Sequence, residues 1–155
     1  MDTAALKKLA QSARRSLMEQ VATQMQVVLA KDSLARREHS AAVSKLEALI
    51  QEHDEGYVVE KIAYIWFNRF SALRFMDVNH YTSVGIVSPV EGQSQPEILA
   101  EAKMGHVDPE IVPLTIRQRI QDLLGNKVPS ANPQAEAYRL LLVAACNTWY
   151  QAMPF

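Results

Sequence analysis

The stretch Tyr57-Val58-Val59-Glu60-Lys61-Ile62-Ala63-Tyr64-Ile65-Trp66-Phe67-Asn68-Arg69-Phe70-Ser71-Ala72-Leu73-Arg74-Phe75-Met76-Asp77 decides the fold. Val58, Ile62, Ile65, Trp66, Phe70, Leu73 and Met76 recur at steps that gather them on one side of a helix. Tyr64, Phe67 and Phe75 widen that apolar arc until little of the rod is left to face water, so a central core helix is expected from Tyr57 to Asp77. Asn68, Arg69, Arg74 and Asp77 lie within it. Buried charge needs a partner, and Arg74 to Asp77 is an i,i+3 step that allows an ion pair. The four residues therefore read either as an internal network anchoring the helix or as a surface facing a ligand or a second domain.

On the N-terminal side, with Asp2 or Thr3 as cap, Leu6, Ala10, Ala13, Leu17, Val21, Met25 and Val28 draw one stripe along a first helix spanning 1–30. Lys7, Lys8, Arg14 and Arg15 fall off this stripe, Lys7 near Arg14 and Lys8 near Arg15 on adjoining faces. They are either a solvated outer face or a contact for phosphate or an acidic partner. A polar arm follows over 32–52, capped by Asp32 or Ser33, its apolar residues Val43, Leu46, Leu49 and Ile50 confined to the second half.

On the C-terminal side, Tyr81 to Gln95 is the longest non-helical stretch, with Val84 to Ser88 a short strand at most because Pro89 and Gly92 interrupt it. A short helix fits Pro96 to Met104, closed by Gly105. Thr115-Ile116-Arg117-Gln118 has the pattern of a capping box for a helix ending at Gly125. Asn132 caps and Pro133 opens a last helix through Tyr138, Leu141, Leu142, Ala145, Trp149 and Ala152. The expected class is mainly α, an irregular bundle of five to six helices with at most a short β-hairpin near 84–88. It reads as a single helical domain over 1–155, with its core in 57–155.

Composition narrows the function. Sixteen Lys and Arg against seventeen Asp and Glu leave a net charge of −1, so no global field draws the chain to nucleic acid or an anionic membrane. The longest apolar run, Leu140 to Cys146, is far short of the roughly 20 residues that span a bilayer. Met1-Asp2-Thr3-Ala4-Ala5 does not read as a signal peptide, and a single cysteine, Cys146, fits a reducing cytoplasm, the expected location. Met153-Pro154-Phe155 is an apolar end after a buried helix, which suggests that the native polypeptide continues.

The five glycines, Gly56, Gly85, Gly92, Gly105 and Gly125, nowhere take the spacing of a phosphate or dinucleotide loop. His39 and His53 have no partner at ligand spacing, and His106 with Asp108 and Glu110 offers one nitrogen only, too little for a metal site. Cys146 lies in the most apolar part of the last helix and reads as an inert buried thiol. Asn132-Pro133 is half of a methyltransferase Asn-Pro-Pro-Tyr loop, but Gln134 and Ala135 follow and a helix cap accounts for the pair. No catalytic, cofactor-binding or metal residue is expected in this segment.

Several blocks together resemble a known family. They are Lys7-Lys8-Leu9-Ala10 with Ala13-Arg14-Arg15, then Ala63-Tyr64 with Trp66-Phe67-Asn68-Arg69 and Ala72-Leu73-Arg74-Phe75-Met76-Asp77. Gln95-Pro96-Glu97-Ile98-Leu99 follows, and finally Asn132-Pro133-Gln134 with Glu136-Ala137-Tyr138-Arg139-Leu140-Leu141-Leu142-Val143-Ala144-Ala145-Cys146-Asn147. In this order they are similar to the N-terminal region of PglX, the adenine-specific DNA methyltransferases of BREX phage-defence systems. The resemblance covers the whole chain, most weakly over 32–55. It implies a full-length enzyme that uses S-adenosylmethionine and acts on DNA, with its catalytic motifs downstream and this segment a non-catalytic, inactive N-terminal domain. Partners implied are the downstream catalytic domain, DNA through the full-length protein, and other defence-system proteins. Asn68, Arg69, Arg74 and Asp77 then suit the surface that meets the catalytic domain. The competing expectation is a self-contained helical module that binds a protein and has no enzymatic role. A third is a small DNA-binding domain using Lys7, Lys8, Arg14 and Arg15, against which the balanced charge weighs.

Overall fold

A computed structural model describes residues 3–152, with only the backbone for Gln151 and Ala152. The expected caps at Asp2 and the apolar end Met153 to Phe155 lie outside those residues. The described chain is mainly α and forms seven helices: α1 (Thr3–Leu29), α2 (Leu34–Glu38), α3 (Ser40–His53), α4 (Glu55–Val78), α5 (Glu97–Lys103), α6 (Leu114–Leu124) and α7 (Pro133–Ala152). The count exceeds the expected five or six because the polar arm breaks at His39, whose φ of −135° and ψ of 42° leave the helical region. The β excursion shrinks to one antiparallel bridge between Pro89 and Pro96, displaced from 84–88. Prolines on both sides supply no amide, so a ladder cannot grow from it.

Local chemistry sets the helix starts. Ser33 Oγ accepts the Arg36 amide at 3.2 Å, Asp54 Oδ1 the Tyr57 amide at 2.9 Å, and Asn132 Oδ1 the Ala135 amide at 3.0 Å. The Thr115 capping box does not form. Pro113, with φ of −56°, is the cap residue of α6 and makes no side-chain cap bond, so the helix is already running when it reaches Thr115.

The chain divides into two compact units, Met1–Asn68 and Arg69–Phe155. In the first, Met25 of α1 and Val58 and Val59 of α4 form a buried nucleus. Met18, Val21, Ala22 and Leu29 of α1, Leu46, Leu49 and Ile50 of α3, and Ile62 of α4 pack around it. Leu6 and Leu9 at the start of α1 remain exposed. In the second unit, α5 and α6 pack on α7 and on each other. Ile98, Leu99, Ile120, Leu123, Leu141 and Leu142 are buried there, each such side chain worth about 1.5–3 kcal/mol on leaving water. The apolar arc of α4 is narrower than its sequence suggested: Tyr64 is 66% exposed and Phe75 60%, while Val58, Ala63, Leu73 and Met76 carry the burial. No helix among the described residues is long and apolar enough to cross a membrane.

Candidate functional site

In the first unit, α1 and α4 enclose an open groove of about 930 Å³. Lys7, Ala10, Gln11 and Arg14 line it from α1. From α4 come Tyr57, Glu60, Lys61 and Tyr64, together with Ala63, Phe67 and Asn68. These positions recur at helical intervals, so one face of each helix supplies its wall. Arg14 forms an ion pair with Glu60 that ties the two walls together. The Lys61 ammonium stands 5.8 Å from the centroid of the Tyr57 ring, which in turn lies 4.6 Å from the His53 ring. Lys7 and Lys61 pair with no carboxylate among the described residues. Of the four basic residues singled out in the sequence, Lys7 and Arg14 face this groove, while Lys8 and Arg15 are exposed on α1 outside its lining.

The second unit holds a different arrangement. Asp77, 8% exposed, ends α4 with its carboxylate turned onto the following segment. Its Oδ1 accepts the Ile86 amide at 2.9 Å and the Thr82 hydroxyl at 3.1 Å. Its Oδ2 accepts the amides of Val87 and Ser88, both at 2.9 Å, and the Ser88 hydroxyl at 2.8 Å. Arg74 donates to Ser88 Oγ, so it reaches Asp77 through Ser88 instead of by the direct i,i+3 ion pair that the spacing allowed. Glu97 braces the same segment, accepting the Gly85 amide at 2.7 Å and returning its own amide to Ser88 O at 3.0 Å. The Tyr138 hydroxyl donates to Ile86 O at 3.2 Å, and burial, with the Asp77 charge adding to it, pushes that phenol above its ordinary pKa.

The four polar residues of α4 thus divide. Asn68 lines the groove, Arg74 and Asp77 share Ser88, and the Arg69 guanidinium acts on Cys146. Burial raises the Cys146 thiol, with Arg69 pulling against it. His106 Nδ1 lies 3.0 Å from Glu101 Oε2, while Asp108 Oδ1 accepts the Glu110 amide at 2.8 Å. Sequence reasoning missed Arg36, which caps α1: its guanidinium donates to Leu29 O at 2.9 Å and Ala30 O at 3.2 Å and pairs with Glu47. A basic residue seven positions past a helix end was the available signal.

The turn at Gly85 does not fit S-adenosylmethionine. Gly85 is where the backbone is approached closely, and a Cβ there would lie 2.7 Å from Ser88 O and 3.1 Å from Glu97 Oε2, so the chain itself fills the space. A methyl donor has no cradle at that turn.

Comparison with known proteins gives a class first: the chain is similar in sequence to adenine-specific methyltransferases. One is the adenine-specific methyltransferase BrxX of Escherichia coli O9:H4 strain HS, 31% identical in an alignment 120 positions long that covers 74% of this chain and 9% of that protein. Another is the adenine-specific methyltransferase PglX of Lacticaseibacillus casei strain Zhang, 29% identical in an alignment 133 positions long that covers 66% of this chain and 11% of that protein. The chain spans about a tenth of the length of these curated relatives. No family model and no solved structure matches it.

Proposed function

We propose that this chain is a non-catalytic helical segment of a BREX-type, S-adenosylmethionine-dependent N6-adenine DNA methyltransferase, lying N-terminal to the catalytic fold. The observation that supports the reading is the pair of matches at 31% and 29% identity to proteins named as adenine-specific methyltransferases, each over about a tenth of the relative. On this reading the methyl-donor loop and the pocket for a flipped adenine belong to the rest of the polypeptide. DNA is the substrate of the whole protein, and residues 1–155 form one helical domain of it. Lys7, Lys8, Arg14 and Arg15 contact phosphate or an acidic partner, and Asn68, Arg69, Arg74 and Asp77 form an inter-domain polar network in which buried Asp77 holds the segment behind the surface that meets the catalytic domain. A self-contained interaction module without enzymatic role is the second reading, favoured by the open groove of the first unit.

The test uses the longer protein, as wild type and as Arg69→Ala or Arg74→Ala, with methyl transfer to DNA and melting temperature both recorded. Loss of methylation with a melting temperature held within about 2 °C supports the domain-facing role. Unchanged activity and stability removes that role, and a wild-type protein without methyl transfer removes the methyltransferase reading.

A further inference from the structure

The groove of the first unit has the shape of a trough for a third helix. Lys7, Ala10, Gln11 and Arg14 follow i,i+3,i+4,i+7 along α1, and Tyr57, Lys61, Tyr64 and Asn68 follow i,i+4,i+7,i+11 along α4. Each set is one continuous helix face, so the trough is walled by helix on both long sides. Ala10 gives the α1 wall a small side chain, which lets another backbone come close, while Ala63 at 2% exposure offers almost no surface. Tyr64, 66% exposed, offers a large ring with no apolar cover. The electrostatics are as specific as the shape. Glu60, the one carboxylate of the lining, is taken by Arg14, whereas Lys7 and Lys61 pair with no carboxylate among the described residues, Lys61 standing over the Tyr57 ring. The groove is locally cationic on a chain whose net charge is −1.

We propose that this groove docks an amphipathic α-helix from a separate acidic protein, with the helix's apolar stripe on Ala10 and Tyr64 and its carboxylates on Lys7 and Lys61. Helix-in-groove recognition lays one face of an amphipathic helix into such a groove, with the i,i+3,i+4,i+7 anchors on the docked helix. Charge at the rim around an aromatic centre is the composition of a reversible interface, where it steers the encounter, while permanently covered seams are depleted in charge. That favours a separate partner over a permanent cover. A nucleic-acid strand fits less well, since it needs a track of several cations and here a carboxylate interrupts the lining. The proposal stands whether or not the chain is part of a methyltransferase.

A display library of helical peptides of about 16 residues, with randomised faces on a fixed helix-forming frame, tests it on the 155-residue chain. Enriched peptides are then measured by fluorescence anisotropy against wild type, Tyr64→Glu and Lys61→Glu, with Phe75→Glu as a control at an exposed ring outside the groove. The expected result is enrichment of peptides with an apolar stripe flanked by Asp or Glu. Their affinity should fall roughly ten-fold or more on Tyr64→Glu and Lys61→Glu and hold on Phe75→Glu. Matching circular dichroism spectra and melting temperatures verify that the variants fold. Failure to enrich, enrichment of neutral or basic peptides, or binding indifferent to Tyr64→Glu overturns the proposal. So does a thymidine oligonucleotide that binds in a Tyr64-dependent manner when the acidic peptides do not.

Discussion

Ser88 gives both its amide and its hydroxyl to a single oxygen of Asp77, at 2.9 and 2.8 Å. With the Ile86 and Val87 amides and the Thr82 hydroxyl, one carboxylate at the end of α4 accepts the donors of most of the turn that follows. A segment without strand or helix to satisfy its backbone is ordered by a side chain instead.

Asp77→Ala leaves the three amides of Ile86, Val87 and Ser88 without their acceptor beside a fully buried Ile86 side chain. The expected cost is about 2–4 kcal/mol, or roughly 10 °C in melting temperature. Ser88→Ala keeps the amide bond and costs about 1 kcal/mol. Thermal melts followed by circular dichroism check the order; equal melting temperatures for wild type and Asp77→Ala contradict it.

Tyr138 sets an alkaline limit. Its folded pKa is raised, so the folded chain holds the phenolic proton more tightly than the unfolded one. That contribution is complete below the ordinary tyrosine value of about 10 and is lost as pH climbs through the folded value above it. Tyr138→Phe forfeits the bond to Ile86 O, about 1 kcal/mol at neutral pH, and flattens the loss of stability above about pH 10. Urea denaturation at neutral and strongly alkaline pH measures both effects.

Cys146 is 2% exposed, and burial favours its neutral thiol. Because the thiolate is the nucleophile, Ellman's reagent should label the native chain only as fast as it opens, with labelling complete in denaturant. Rapid stoichiometric labelling of the native chain contradicts the burial.

Arg36 and Arg14 separate a capping guanidinium from a surface ion pair. Arg36→Ala strips the bonds to Leu29 O and Ala30 O at the end of α1 as well as the pair with Glu47, an expected loss of about 1–2 kcal/mol. Arg14→Ala removes a pair whose side chains are 61% and 54% exposed, so solvent screening limits the loss to about 0.5 kcal/mol. Paired urea titrations in the same buffer check the difference.

The long helices were legible because their apolar residues repeat at helical spacing: 57–77 became Glu55–Val78, and the helix opened by Pro133 runs to Ala152. Which apolar residues face water was not legible. Tyr64 and Phe75 lie off the stripe that holds Leu73 and were expected to close the apolar arc around α4, yet only Leu73 is buried, because exposure depends on which neighbours arrive. Long-range polar bonds were equally hidden. The Arg74 to Asp77 spacing suggested a local pair, while the partner that joins them, Ser88, lies eleven residues beyond Asp77. The groove escaped notice for the same reason: Lys7 and Arg14 were visible as a basic face, but the wall that makes them a site comes from α4.

The central claim is that this chain is a segment of an adenine-specific methyltransferase, and the size of the native product tests it most directly. An epitope at the N-terminus of the chromosomal copy, followed by immunoblotting and intact mass, should give a polypeptide many times larger than 17.4 kDa, since the chain spans about a tenth of its relatives. A product of 17.4 kDa would contradict the account and leave the helical interaction module in its place.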